Sequence, residues 1–363
     1  MARIGRILVL GGGIGGLSAA IALRIAGFEA DVFEQSPELR EAGAGVGLWS
    51  NAMASLEQLG VADAVRRRST PLRTVAGANA HGETLSMLRL DALGSEFASA
   101  ACFVVLRPEL LAALAERVPK QCVHTNRRAV RVERLADRVR VHFEEGSVEE
   151  GELLVAADGL HSLARPLVVG EDRIRYSGQT CFRGVARVRV AEADVLREIQ
   201  GRGQRGAVCP VDEETAYWWV AHNAAEGRML ARSARKSQLM ERYANWPFGL
   251  EQAIAATPAD AILQNDLTDR APAHTYTSER VILTGDAAHP TTPNLGQGAN
   301  MAIDDAIALA RSETKKAFRL PCGDTIANGS RARARSSNVA GASGRCVCGN
   351  PHSRSRCVRP CSA

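Results

Sequence analysis

The stretch RILVLGGGIGG, at residues 6–16, constrains the fold more than any other part of the chain. Its apolar residues 6–10 predict a short buried strand, and the pattern after the glycines predicts a helix over 16–27, closed by Gly27. A second apolar run, ADVFE at 30–34, predicts the next strand. Two strands joined by a helix in this way lie parallel, because a parallel pair needs a crossover connection. The sequence therefore predicts an α/β fold that begins with a Rossmann-like β-α-β unit.

The glycines of this turn follow the pattern G-x-G-x-x-G, formed by Gly11, Gly13 and Gly16, with Gly15 preceding the last of them. The first permits a tight turn, the second lets the backbone approach a pyrophosphate, and the third allows the helix to pack closely on the strand. The N-terminus of the helix then attracts the phosphates. Glu34 ends the second strand, where a carboxylate accepts hydrogen bonds from a ribose. Because an acidic residue here disfavours a 2′-phosphate, the pattern predicts FAD or NAD rather than NADP.

A second unusual stretch, VILTGDAAHPTTPNLGQGAN, lies far along the chain at residues 281–300. Its apolar run ends at Gly285 and Asp286, two prolines follow, and GQGAN leads into a helical pattern. A carboxylate at the end of a buried strand, on a turn that glycine permits, suits a polyol partner. A helix N-terminus beside it would stabilise negative charge. We therefore expect a second cofactor-binding segment here.

The segment between the two motifs changes character and predicts a second domain. Residues 174–223 alternate as antiparallel strands do, and residues 235–257 return to a helical pattern. We therefore predict a discontinuous nucleotide-binding domain and an inserted, sheet-rich substrate domain, followed by a tail. The predicted boundaries are 1–173 with 258–311 for the first, 174–257 for the second, and 312–363 for the tail.

Three motifs in order carry a resemblance to a known family. The G-x-G-x-x-G turn, the DG of ADGLHSLAR and the GD of LTGDAAHP together resemble the flavoprotein aromatic hydroxylases, the para-hydroxybenzoate hydroxylase family. The salicylate hydroxylase, urate hydroxylase and zeaxanthin epoxidase branches look most similar. The resemblance covers residues 4–311 and implies a Rossmann-like FAD-binding domain of the glutathione reductase type, with an antiparallel-sheet insertion. It also implies FAD as the cofactor.

The resemblance implies a cofactor role for residues that match the motifs of the family. Asp286 matches an acid that contacts the ribityl chain of FAD, and Asp158 and Arg165 match a motif associated with FAD and with the nicotinamide donor. Arg107 and Arg40 match arginines near the cofactor, and a glycine loop matches one lying close to the flavin ring. The full predicted cofactor set is Gly11, Gly13, Gly15, Gly16, Glu34, Arg40, Gly45, Arg107, Asp158, Arg165, Gly285, Asp286, Pro293, Gly296, Gln297, Gly298 and Asn300.

The chemistry implied by the resemblance is monooxygenation. NADH or NADPH reduces FAD as a transient co-substrate, O2 forms a flavin C4a-hydroperoxide, and an electron-rich aromatic or olefinic small molecule is hydroxylated or epoxidised. The predicted substrate contacts are Arg183, Trp218 and His222, and alternation along a strand allows only one of Trp218 and Trp219 to face a pocket. Such chemistry requires no metal, and the spacing of the His, Cys and acidic residues predicts none.

The last 52 residues depart from the family pattern. They hold ten lysines and arginines against two acidic residues, and five of the nine cysteines, with no helical apolar periodicity. This composition predicts disorder, and the abrupt change suggests a shifted reading frame or a truncated product. An inactive or merely flavin-binding product is therefore one alternative, and an NAD-dependent dehydrogenase is another.

Composition and charge limit the partners and the cellular location that we expect. The chain has a net charge of +5. The tail has eight more basic than acidic residues, so the rest of the chain is mildly acidic. Nucleic acid is therefore not expected as a partner. No apolar run is long enough to span a bilayer. The early glycine cluster interrupts what would otherwise be the apolar core of a signal peptide, so we expect a cytoplasmic protein. The oligomeric state is not predicted.

Overall fold

The computed structural model describes residues 5–39, 44–90 and 102–311. These ranges contain nineteen strands and eight α-helices. In chain order they are β1 (Ile7–Leu10), α1 (Ile14–Ile25), β2 (Ala30–Phe33), β3 (Gly45–Leu48), α2 (Ser50–Gln58), α3 (Ala62–Arg66), β4 (Ser69–Leu72), β5 (Thr74–Asn79), β6 (Thr84–Arg89), β7 (Cys102–Leu106), α4 (Arg107–Ala115), β8 (Val123–His124), β9 (Ala129–Arg134), β10 (Val139–Phe143), β11 (Val148–Gly151), β12 (Leu153–Ala156), α5 (Pro166–Val169), β13 (Ile174–Arg187), β14 (Val195–Gly201), β15 (Gln204–Pro210), β16 (Thr215–Asn223), α6 (Arg232–Arg242), α7 (Leu250–Ala256), β17 (Leu263–Arg270), β18 (Thr277–Ser278), β19 (Val281–Leu283) and α8 (Gly298–Arg311).

A six-stranded sheet carries both cofactor motifs. Its strand order is β18-β19-β12-β1-β2-β8, and all neighbours run parallel except β18 and β19. Every residue of β1 and β12 is buried, as expected of a parallel sheet covered on both faces. The predicted β-α-β unit is confirmed as β1, α1 and β2, and β19 brings the later motif to the same edge. Both motifs thus follow the carboxyl ends of strands in one sheet, where open α/β folds bind ligands.

A seven-stranded sheet forms the second layer, in the order β17-β13-β16-β15-β14-β5-β6. Its pairs are antiparallel except β14 with β5. One face packs α6 and α7 over a buried cluster that includes Trp218, Phe182 and Tyr243. The other face, on which Tyr217 and Trp219 lie, meets residues from the first half of the chain, among them Trp49. Two smaller antiparallel sheets, β11-β10-β9 and β3-β7-β4, complete the architecture.

The large sheet extends beyond the predicted insertion of 174–257. It also includes β5 and β6, from residues 74–89, and β17, which the predicted boundaries left in the cofactor-binding part. Residues 50–66 form two helices, α2 and α3, because Gly60 ends the first with a φ of +69°. The predicted tail, 312–363, lies outside the described residues. No helix in the ranges that the structure describes is long and apolar enough to cross a membrane.

Candidate functional site

The turn between β1 and α1 leaves no space for side chains. A Cβ on Gly16 would lie 1.9 Å from the carbonyl oxygen of Gly11, and a Cβ on Gly11 would lie 2.4 Å from the carbonyl oxygen of Ala157. Gly11 also has a φ of +96°. Gly13 precedes α1, no side chain caps that helix, and its first turn contains no acidic residue. The N–H groups at the start of α1 are therefore suited to an anionic ligand such as a pyrophosphate.

Glu34 lies beside this turn at the end of β2. Its carboxylate accepts hydrogen bonds from the backbone N–H of Gly12 at 2.6 Å and of Ser36 at 2.8 Å. A carboxylate has about four acceptor positions, so these two bonds leave capacity for ribose hydroxyls. The structure thus orients Glu34 next to the glycine turn, as predicted, and ribose binding remains a prediction.

The start of α1 meets the later motif directly. A Cβ on Gly15 would contact Ala302 of α8 at 3.5 Å and the Cα of Gly285 at 3.9 Å. Gly285 itself has a φ of +57° at the turn that follows β19. The two segments that the sequence separates by more than 260 residues therefore lie side by side, with glycines at the point of approach.

Asp305, on α8, holds the later turn in place. Its Oδ2 accepts hydrogen bonds from the backbone N–H of Gly285 at 2.9 Å and from the hydroxyl of Thr284 at 3.1 Å, and it lies 2.6 Å from Nε2 of His289. His289 is 4% exposed, so it supports this loop from inside. Asp286, by contrast, is exposed while its neighbours are buried, which leaves its carboxylate on the surface of the turn.

The loop before α8 is fixed by Asn300, which is fully buried. Its Oδ1 accepts from the backbone N–H of Trp49 at 2.8 Å, and its Nδ2 donates to the carbonyls of Gly47 at 2.9 Å and Gly296 at 2.7 Å. Gly296 has a φ of +62°, which a side chain rarely adopts. The Asn300 side chain thus shapes the loop through bonds to protein. The other predicted residues of this loop are Pro293, which opens a 3-10 turn, Gln297, and Gly298, which begins α8.

The motif after β12 is tied to the later turn by a buried arginine. Arg165 is 1% exposed and donates to the carbonyls of Ala287 at 2.8 Å and Ala288 at 2.5 Å. It also forms an ion pair with Asp172 at 2.8 Å. The guanidinium therefore joins the two motif loops. Asp158 accepts from the backbone N–H of Leu163 at 2.8 Å, and burial raises the pKa of its carboxyl despite that bond.

One face of the seven-stranded sheet contacts these loops. A Cβ on Gly45 would lie 2.3 Å from the ring of Tyr217, so only glycine allows β3 to approach the sheet here. Trp219 lies on the same face of β16, and the guanidinium of Arg205 stacks 5.2 Å from its ring centroid. Arg205 also donates to the side chain of Asn294 in the loop before α8. We call this surface, formed by Tyr217, Trp219, Arg205 and Arg183, the motif-facing surface.

Two arginines lie on the motif-facing surface, and one of them, Arg205, forms an ion pair with Glu198 at 3.3 Å. Arg183 pairs with Trp219 across the strands, donates from one terminal nitrogen to Asn265 at 2.9 Å, and has a buried Nε without an acceptor in the described part of the chain. Burial raises the pKa of the Tyr217 hydroxyl, and the positive charges of Arg183 and Arg107 only partly oppose this. The predicted residues Arg183 and Arg107 are thus both close to Tyr217.

The structure places two predicted substrate contacts, Trp218 and His222, on the face of the sheet that is turned away from the cofactor motifs. Trp218 is fully buried in the core beneath α6 and α7, where its indole N–H donates to Thr257 at 2.7 Å. His222 shares its face of β16, because both residues have the same parity along the strand. Its Nδ1 lies 3.1 Å from the hydroxyl of Tyr243, on the side of the sheet that faces α6. Of the two tryptophans, Trp219 is the one that lies on the motif-facing surface.

Other residues of the site were not predicted, and one prediction lies outside the structure. Arg205 and Tyr217 lie on strands whose side chains alternate between the two faces of the sheet. Knowing which face Trp219 occupies would have placed both residues on the same face. Asp305 carried no signal beyond its position on a helix. Arg40 lies outside the described residues. Within the ranges that are described, no group of His, Cys, Asp and Glu is arranged to hold a metal ion.

Comparisons with known proteins agree on one family. A family model described as an FAD binding domain matches residues 5–312. The aurachin C monooxygenase/isomerase of Stigmatella aurantiaca is 36% identical over 306 residues, which cover 84% of this chain and 79% of that protein. The FAD-dependent urate hydroxylase of Klebsiella pneumoniae is 33% identical over 308 residues, covering 84% and 80%. The solved structure of Klebsiella pneumoniae HpxO with FAD and uric acid has a TM-score of 0.87 at 29% identity, over 96% of this chain and 90% of that chain.

Proposed function

Because the chain belongs to the FAD-dependent aromatic hydroxylase family of flavoprotein monooxygenases, we propose that it uses NADH or NADPH and O2 to hydroxylate or epoxidise a small electron-rich aromatic or olefinic molecule. The resemblance predicted from the three motifs is confirmed, and the cofactor is FAD. An NAD-dependent dehydrogenase is not favoured, since the family model describes an FAD domain and the later motif belongs to the same match.

The residues present fit FAD. At Gly11 and Gly16, backbone atoms fill the space that a side chain would need. No side chain caps the N-terminus of α1, so its N–H groups suit the pyrophosphate. Glu34 is oriented for the ribose, and the exposed carboxylate of Asp286 is suited to a polyol chain. When bound, FAD supplies the electron transfer and oxygen activation that no side chain provides.

The observation that carries the substrate proposal is the presence of Arg183 and Arg205 on the same face as Tyr217 and Trp219, with Arg205 stacked on Trp219. Among the described residues the buried Nε donor of Arg183 has no acceptor, which is costly unless a ligand meets it. Trp219 and Tyr217 offer flat apolar area beside it. We infer that Arg183 and Arg205 orient a planar substrate through an oxygen that is anionic or a carbonyl, and that the rings exclude water from it.

The test measures substrate-dependent oxidation of NADH and NADPH by the FAD-loaded protein, together with O2 consumption, over a panel of phenols, heteroaromatic acids and alkenes. We expect one class to stimulate oxidation and to yield an oxygenated product. Arg183→Gln should raise KM roughly tenfold, as expected for loss of a charged hydrogen bond, and retain FAD. Arg187→Gln, on the exposed end of the same strand, is the matched control.

Two results would contradict the proposal in different ways. Retained FAD with no stimulation by any substrate class, with either nicotinamide, would favour a flavin-binding product without turnover. Turnover with an unchanged KM in Arg183→Gln would keep the activity and remove the motif-facing surface as the substrate site.

A further inference from the structure

A cavity of about 620 Å³ lies on the face of the seven-stranded sheet opposite to the motif-facing surface, between the sheet and α6. Its floor is a row of polar side chains, because the strand register places Thr180 opposite His222 and His222 opposite Gln204. The wall comes from α6 and from the loop over residues 224–230. Gln204 and Arg205 are consecutive, so they point to opposite faces, and the cavity shares no lining residue with the motif-facing surface.

Two arginines at this cavity have no side-chain partner within the described ranges. Arg228, on the loop, and Arg242, on α6, form no side-chain hydrogen bond or ion pair with any residue that the structure describes. Glu241 is the one carboxylate among the described lining residues, and it pairs with neither. Both arginines are close to His222, since burial and then the charges of Arg242 and Arg228 lower the pKa of its imidazole. The cavity therefore presents excess positive charge around a neutral ring.

The floor also contains a hydrogen-bond acceptor without a described donor, and one of its side chains, Gln264, binds the neighbouring loop. Oε1 of Gln204 is buried without a hydrogen bond from any described residue, and such an atom is costly unless a ligand or water donates to it. Gln264, 5% exposed, fixes the loop by donating to the carbonyl of Arg228 at 2.9 Å and accepting from the N–H of Leu230 at 2.8 Å. The backbone of the loop that carries Arg228 is thus held in place, while the side chains of Arg228 and Arg242 are exposed and accessible to a ligand.

We propose that this cavity is a second ligand site, separate from the oxygen-transfer site, for a small hydroxylated carboxylate. The carboxylate group would pair with Arg228 and Arg242, which offer planar, charged donors. A hydroxyl of the ligand would donate to Oε1 of Gln204. The side chains of Phe182 and Leu239 line the same cavity and cover the carbon skeleton.

The test is titration calorimetry of the FAD-loaded protein with citrate and with tricarballylate, which is citrate without its hydroxyl. We expect citrate to bind, and to bind more tightly than tricarballylate. The double variant Arg228→Gln/Arg242→Gln should weaken citrate binding at least about tenfold, as expected when charged hydrogen bonds are lost. Gln204→Met should remove the preference for citrate over tricarballylate.

The controls separate this site from general charge effects and from the motif-facing surface. Arg232→Gln removes an exposed arginine from the start of the same helix and should retain citrate binding. Arg183→Gln should also retain it. Flavin absorbance confirms that each variant is folded. The proposal is overturned if citrate does not bind the unmodified protein at millimolar concentration, if the double variant binds equally well, or if Arg232→Gln loses as much affinity as the double variant.

Discussion

Among the glycines that the structure describes, Gly16 leaves the least room for a side chain. Its Cβ would lie 1.9 Å from the carbonyl oxygen of Gly11, an atom that cannot rotate away. We predict that Gly16→Ala moves α1 away from β1, lowers the free energy of unfolding by about 1–3 kcal/mol, and abolishes FAD retention. Urea unfolding and the flavin absorbance of the purified protein measure the two effects.

Gly77→Ala is the matched control for that change. A Cβ there would meet only the hydroxyl of Ser86, at 2.7 Å, which is the movable end of a side chain. Gly77 lies on β5, away from both motifs. FAD retention in Gly16→Ala equal to that in Gly77→Ala would contradict the packing argument.

His222 should make stability depend on pH. Burial first, and then Arg242 and Arg228, lower the pKa of His222 from 6.5 to about 4. The unfolded chain therefore binds a proton that the folded chain excludes, so this contribution to stability is complete above pH 6.5 and is lost as the pH falls from 6.5 toward 4. Because the ring is partly solvated, the loss should be about 1 kcal/mol.

The measurement is urea unfolding at pH 7 and pH 5, for the unmodified protein and for His222→Gln. Gln keeps a polar group near the hydroxyl of Tyr243 but does not titrate. We expect the unmodified protein to lose more stability between the two pH values than the variant. Equal losses would show that His222 protonates freely in the folded state.

At the level of single residues, spacing predicted the glycines well, because a missing side chain leaves a pattern in the sequence. It could not distinguish a residue that binds a ligand from one that shapes the loop beside it. The carboxamide of Asn300 makes three bonds to protein, and Arg165 binds two carbonyls and Asp172. Those partners come from distant parts of the chain, so no local sequence pattern predicts them.

Among the elements, the turn after β19 depends on α8 for its shape. Asp305 is the shared acceptor for Thr284, Gly285 and His289, so its loss leaves several buried donors unsatisfied. We predict that Asp305→Ala weakens FAD binding at least about tenfold, because unsatisfied charged hydrogen bonds cost about 1.5–3 kcal/mol. Fluorescence titration of the apoprotein with FAD measures this.

Asp304→Ala provides a control one residue earlier on the same helix. It removes an equal charge, and its lost bonds, to Asn51 at 2.7 Å and Ser55 at 2.6 Å, lie on α2 rather than at the turn. We expect it to change FAD affinity much less. If both variants lose affinity equally, the contact between α8 and α2 matters, and the specific role of Asp305 at the turn is wrong.

The elements themselves were predictable where the local pattern was strong. The β-α-β unit and the alternating strands of the insertion were predicted at nearly their observed positions. The extent of the second sheet was not, because β5, β6 and β17 join it through pairings with strands far away in sequence. Alternation showed that Trp218 and Trp219 point to opposite faces, but the choice between the faces depends on α6 and α7, which cover one of them.

For the molecule as a whole, FAD should act as a clamp between the two ends of the described chain. The glycine turn after β1 and the turn after β19 come from opposite ends and meet at Gly15 and Gly285. A ligand that binds only the folded state stabilises it by RT ln(1 + [L]/Kd), which is about 2.7 kcal/mol at a hundred times Kd. We predict an increase of this size in the free energy of unfolding when FAD is added to the apoprotein, read from urea unfolding. FMN lacks the adenosine monophosphate half of FAD, so it brings one phosphate instead of two to the turn at Gly11 and Gly16 and no adenosine ribose to Glu34. At the same concentration it should therefore stabilise much less. Equal stabilisation by FMN would mean that the adenosine monophosphate half, and with it the ribose contact of Glu34, contributes no binding energy.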